Sequence, residues 1–115
     1  MVIDRLDVLK KRILEINDDI KKIKNEDQVK LGRKIDRLRE QIESVCAESE
    51  EAVSNNDILK ILILGQQISI FQDKYTVLRE EWAKNQKKIE TYRNELDSIS
   101  KEMVSIGIEI ANMDD

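Results

Sequence analysis

Apolar residues in this chain recur at alternating steps of four and three, and that spacing leaves few folds open. From Val2 they fall at Leu6, Leu9, Ile13, Ile16, Ile20 and Ile23. A mean step of about 3.5 residues against a helical turn of about 3.6 draws one slowly winding stripe, the seam of a coiled coil, which a second helix must cover. After Ile23 the pattern slips by one residue, resumes as Leu31, Ile35, Leu38, Ile42 and Val45, and fades through Ser49 and Ala52. From Ile61 it runs through Leu64, Ile68, Phe71, Tyr75, Leu78, Trp82, Asn85, Ile89, Tyr92, Leu96, Ile99, Met103, Ile106, Ile110 and Met113, with Asn85 its one polar member.

Between the two runs stands Ser54-Asn55-Asn56-Asp57, a cluster of residues that cap helices and make turns. The spacing predicts a helix over about residues 2–53, a turn over about 54–57 and a second helix over about 57–113. So short a connection folds the helices back on each other, so the expected fold is all-α: a single-domain, antiparallel two-helix coiled-coil hairpin, a rod on the order of 80 Å at about 1.5 Å per residue. Asn85 lies about as far after the turn as Asp27 lies before it, which pairs them as an expected polar layer fixing the register. The competing arrangement is a parallel homodimer through the second helix, because a buried asparagine also sets register there.

Composition closes several chemistries. With no histidine and one cysteine among 115 residues, one subunit cannot assemble a Ser-His-Asp or Cys-His arrangement or a Cys/His zinc site. Neither a calcium-loop pattern nor the Glu-x-x-His of di-iron helices is present. The chain is therefore read as non-enzymatic, with no catalytic, cofactor-binding or metal-ligating residue and no cofactor. The turn end is acidic, with Glu40, Glu43, Glu48, Glu50, Glu51 and Asp57 and no lysine or arginine between Arg39 and Lys60, and is read as a solvated end. Lys30, Arg33, Lys34, Arg37 and Arg39 make a basic stretch able to meet phosphates, but Asp36 and Glu40 interrupt it and the net charge is −4. Nucleic acid and membrane surfaces are thus the alternative partners, and protein the leading one. Cys46, without a second cysteine, and the lack of a long apolar run or signal-like start give a cytoplasmic expectation.

A lone two-helix hairpin has a thin core, so further burial against a homodimer mate or a helical hetero-partner is expected. Leu59, Leu62, Ile63, Ile70 and Val77 are apolar yet lie off the seam, and Ile63, Ile70 and Val77 share one face at seven-residue spacing. These five are the expected interface of a four-helix bundle. The segment Leu38-Arg39-Glu40-Gln41-Ile42-Glu43, followed after the turn by Ile58-Leu59-Lys60 and a second heptad helix, resembles the short helical subunits of vesicle-tethering and lysosome-biogenesis complexes over about half of the chain. Hairpins of this shape are also similar to stalk or chaperone-like parts of bacterial secretion systems. Those resemblances imply a small subunit of a tethering or secretion complex. The reading from the residues themselves is a rigid spacer, scaffold or assembly subunit acting through helix–helix contacts.

Overall fold

Wherever the four-and-three spacing holds, the backbone is helical. The computed structural model describes residues 2–113 as an all-α helical hairpin: α1 (Val2–Lys22), one π-helical turn (Ile23–Asp27), α2 (Gln28–Ser54) and α3 (Ile58–Met113). No strand occurs among the described residues.

The π turn is the structural form of the slip in the apolar pattern. A residue inserted into an α-helix rotates everything after it by about 100°, which would carry Leu31, Ile35 and Leu38 off the seam. A π turn closes its hydrogen bonds from i to i+5 and so absorbs one extra residue within a single turn. The step from Ile23 to the next buried position, Gln28, is five residues, after which the spacing resumes at Leu31 and Ile35. Ile16 before the turn, Ile23 at its start, and Leu31, Ile35 and Leu38 after it are all buried.

The reversal at the other end of α2 is held by two residues. Asn56 adopts a left-handed backbone with φ of 54°, a conformation asparagine tolerates better than most side chains. Its amide donates to the Val53 carbonyl at 3.1 Å, and the Asp57 amide donates to the Ala52 carbonyl at 3.0 Å. That is the paired closure of a Schellman motif, which satisfies carbonyls that the helix end would leave bare. Asp57 then starts the next helix: its carbonyl accepts from the Ile61 amide at 3.0 Å and its side-chain Oδ1 from the Lys60 amide at 3.3 Å. One residue thus terminates α2 and caps α3.

The chain divides into two compact units. The terminal unit joins the residues up to Asp27 to those from Asn85 on, and its buried apolar core is Ile16, Ile23, Ile89, Ile99 and Ile106. Arg5 bonds Glu102 and Arg12 bonds Glu95, so an advance of seven residues on α1 is a retreat of seven on α3, the signature of antiparallel helices. This register sets Val2 near residue 105, past which the seam positions Ile110 and Met113 are 40% and 69% exposed. Ile16 and Ile106 are fully covered, and burial of such a side chain contributes about 1.5–3 kcal/mol.

The turn unit, Gln28–Lys84, buries Leu31, Ile35, Leu38, Ala52 and Leu64. Its helices are antiparallel too: Gly32 lies beside the Trp82 ring, and Arg39, seven residues later, reaches Tyr75, seven residues earlier. A Cβ on Gly32 would stand 3.7 Å from the indole, so the missing side chain makes room for the largest residue on the opposite helix.

Two predictions follow from this backbone. Deleting Asn25, an exposed residue of the π turn, restores an unbroken four-three pattern, and the variant is expected to keep its helical circular dichroism and melting temperature; deleting the exposed Glu43 throws the following seam residues out of phase and is expected to lower the melting temperature sharply. Asp57→Ala removes a cap and is expected to cost about 1 kcal/mol in urea unfolding, the usual worth of an N-cap side chain.

Candidate functional site

An apolar side chain left in water on a helix that already has a buried seam needs a reason. On the first half of α3, Leu59, Leu62, Ile63, Ile70 and Val77 are exposed by between 54% and 74%, while the seam residue Leu64 between them is 4% exposed. They therefore lie outside the intramolecular core. Ile63, Ile70 and Val77 recur every seven residues and form a stripe along one side of the helix, and Leu59 extends it by one turn toward the connection.

Beside this stripe runs a cleft of about 540 Å³ between α2 and α3, within the turn unit. Its apolar floor is made by Leu38, Val77 and Leu78, and its rim by Lys34, Arg37, Gln41, Asp73 and Lys74. Val77 thus belongs to both the stripe and the cleft. The seam turns Leu38 and Leu78 inward, and the next helical positions outward carry the long cationic stems of Lys34, Arg37 and Lys74 around the opening. An open channel with an apolar base and basic edges is suited to receiving a side chain from another helix.

Of the two residues expected to form a polar layer, Asp27 ends the π turn and Asn85 lies on α3, and both are half-buried. A third polar residue, Gln28, is more deeply covered at 5% exposure, and its Nε2 donates to the Trp82 carbonyl at 3.3 Å. Gln28 was legible as a seam position by counting back three from Leu31, but its polar side chain hid it from a pattern built on apolar residues.

The basic stretch is exposed throughout, from Lys30 to Arg39, with Asp36 and Glu40 exposed among the cations. Arg39 is engaged within the hairpin: its Nη2 donates to the Tyr75 hydroxyl at 3.3 Å, and that hydrogen bond holds the Tyr75 pKa below its usual value. Glu48, Glu50, Glu51 and Asp57 at the turn end are likewise exposed. Cys46 is a half-buried free thiol. Among the described residues no His/Cys/Asp/Glu group is placed to hold a metal ion, and no helix is long and apolar enough to cross a membrane.

In the terminal unit the α1–α3 edge carries charge. Arg12 forks onto Glu95, its Nε 2.7 Å from Oε1 and its Nη2 3.0 Å from Oε2, and its Nη1 also reaches Glu15 at 3.3 Å. The hydrogen bond from Arg12 lowers the Glu95 pKa below its ordinary 4.5. Tyr92 shifts the other way, raised first by its hydrogen bond with Asp19 and then by burial. A depressed carboxylate pKa stabilises the fold at pH above the ordinary value, and that contribution disappears as pH falls through the folded value. The melting temperature of the wild type is therefore expected to fall more steeply below about pH 4.5 than that of Arg12→Met. The difference should be small, because both side chains are more than a third exposed and water screens the pair.

No protein-family model matches the chain, and neither a curated protein nor a solved structure matches it, so the surface geometry is what bears on its role.

Proposed function

We propose that this protein is a non-enzymatic, cytoplasmic assembly subunit that binds another protein through helix–helix contacts, with the turn-proximal face of α3 as its binding surface. The observation that carries the reading is the exposed stripe of Ile63, Ile70 and Val77 beside the cleft floored by Leu38 and Leu78. A second helix laid along that stripe would bury residues that the hairpin itself leaves in water, while the seam keeps the two helices a stiff pair. The helical hairpin fits a spacer or scaffold, and the small-subunit role suggested by resemblance to tethering and secretion complexes is one form of it. Nucleic acid or an anionic membrane is the weaker reading of Lys30 to Arg39, because acidic residues interleave and Arg39 is held by Tyr75.

The test is the double substitution Ile63→Glu with Ile70→Glu, placed on exposed positions so that folding is spared. Wild-type chain is expected to sediment as a species heavier than the 13.5 kDa monomer, alone or with proteins co-purified from its own cells. The variant is expected to lose that added mass and keep its helical circular dichroism. Identical sedimentation and identical co-purifying proteins for wild type and variant would remove this surface from consideration, and retention on anionic vesicles or duplex DNA that collapses with added salt would favour the basic face instead.

A further inference from the structure

Resting on the reading of this face as a helix-pairing surface, we propose that its occupant is a second copy of the same chain. In the proposed pairing α3 lies antiparallel on the partner's α3, and a two-fold axis passes at Ile70. The inference comes from how charge is distributed about that residue. A two-fold contact sets each residue against the one equally far on the other side of the axis, so a surface can pair with itself only where its two ends are complementary. Around Ile70, Ile63 meets the partner's Val77, and Lys60 meets the partner's Glu80 with Glu81 one residue on. A parallel pairing would instead set Lys60 on the partner's Lys60, and Glu80 on the partner's Glu80.

The second helix of the unit obeys the same symmetry. Gly32 beside Trp82 and Arg39 on Tyr75 fix the levels of α2 against α3. At that register Arg37 is level with Val77, with which it lines the cleft, and Glu51 is level with Ile63. The rotation that brings the partner's Ile63 to Val77 therefore brings the partner's Glu51 to Arg37, with the partner's Glu48 one turn away. The basic rim and the exposed glutamates of the turn end become each other's complement between two hairpins. The stripe supplies the apolar contact, the partner's Ile63 has the cleft beside Val77 to seat against, and the result is a four-helix bundle made of the turn units of two chains.

The symmetry gives a sharp test in the full-length chain with Cys46→Ser. Ile70→Cys is expected to oxidise to a disulfide with itself. Ile63→Cys mixed with Val77→Cys is expected to give the mixed disulfide in preference to either self-linked form. Self-linked Ile63→Cys and Val77→Cys would show a parallel pairing and overturn the arrangement. Each symmetric charge pair occurs twice, so Arg37→Glu is expected to weaken dimerisation about tenfold by sedimentation, and Glu51→Arg about as much. The two substitutions in one chain should restore it; failure of that rescue would also overturn the proposal. A wild-type chain that stays monomeric at high concentration, yet loses co-purifying proteins on Ile63→Glu with Ile70→Glu, rejects the second copy and leaves the interaction surface standing. Loss of neither rejects both.

Discussion

Everything in this fold depends on keeping one stripe of apolar side chains in phase along two helices. The seam contains nearly all of the buried apolar surface, and a helix carries no other means of choosing which side faces its mate. A single surplus residue between Ile23 and Leu31 is therefore a threat to the whole first half, since out of phase it would present charged positions to α3. The π turn confines that surplus to five residues. It exchanges a less favourable local hydrogen-bonding geometry for continued burial of Leu31, Ile35 and Leu38, and at about 1.5–3 kcal/mol for each such side chain the exchange is favourable.

Phase decides what is buried but not which way the second helix runs. Direction comes from the connection, where Asn56 and Asp57 complete one helix end and begin the next within a few residues. Register along the pair is then marked by edge contacts: Arg12 on Glu95 and Arg5 on Glu102 in the terminal unit, Arg39 on Tyr75 in the turn unit. Ion pairs in water stabilise little, but each is lost if the helices slide, so their effect is on specificity more than on stability. Gln28, buried with its amide on the Trp82 carbonyl, acts in the same sense inside the core.

The all-helical hairpin was readable from the spacing because a coiled-coil seam is a periodic signal, repeated many times over, and a single polar member such as Asn85 does not erase it. The slip after Ile23 was readable as well, yet its consequence was not: a one-residue insertion can be met by a kink, a break or a π turn, and the choice depends on what the opposite helix offers. The exposure of Ile110 and Met113 has a similar cause. Their spacing marks a seam, but burial requires a facing helix, and where that helix lies is a matter of register. Off-seam apolar residues such as Ile63 and Ile70 could be found by subtraction. The cleft beside them could not, since it arises from the relative heights of Leu38 and Leu78 on two helices that are distant in sequence.

That last point bears on why the charge blocks of the turn unit escape a one-helix view. Read along the chain, Lys30 to Arg39 is a basic stretch with acidic interruptions, Glu40 to Asp57 an acidic end, and each is adequately explained as solvated surface. They follow one another along α2, and folding the hairpin lays the apolar stripe of α3 beside both. On α3 the order is reversed, with Lys60 at the turn end and Glu80 and Glu81 at the other, so a like-oriented copy paired helix to like helix would set like charge on like. In the proposed end-for-end pairing Lys60 meets the partner's Glu80 and Arg37 the partner's Glu51, and such a two-fold contact is closed because both copies use the same patch. Charge segregation along the helices of the turn unit therefore limits the ways that unit can associate, even where individual ion pairs contribute little to affinity.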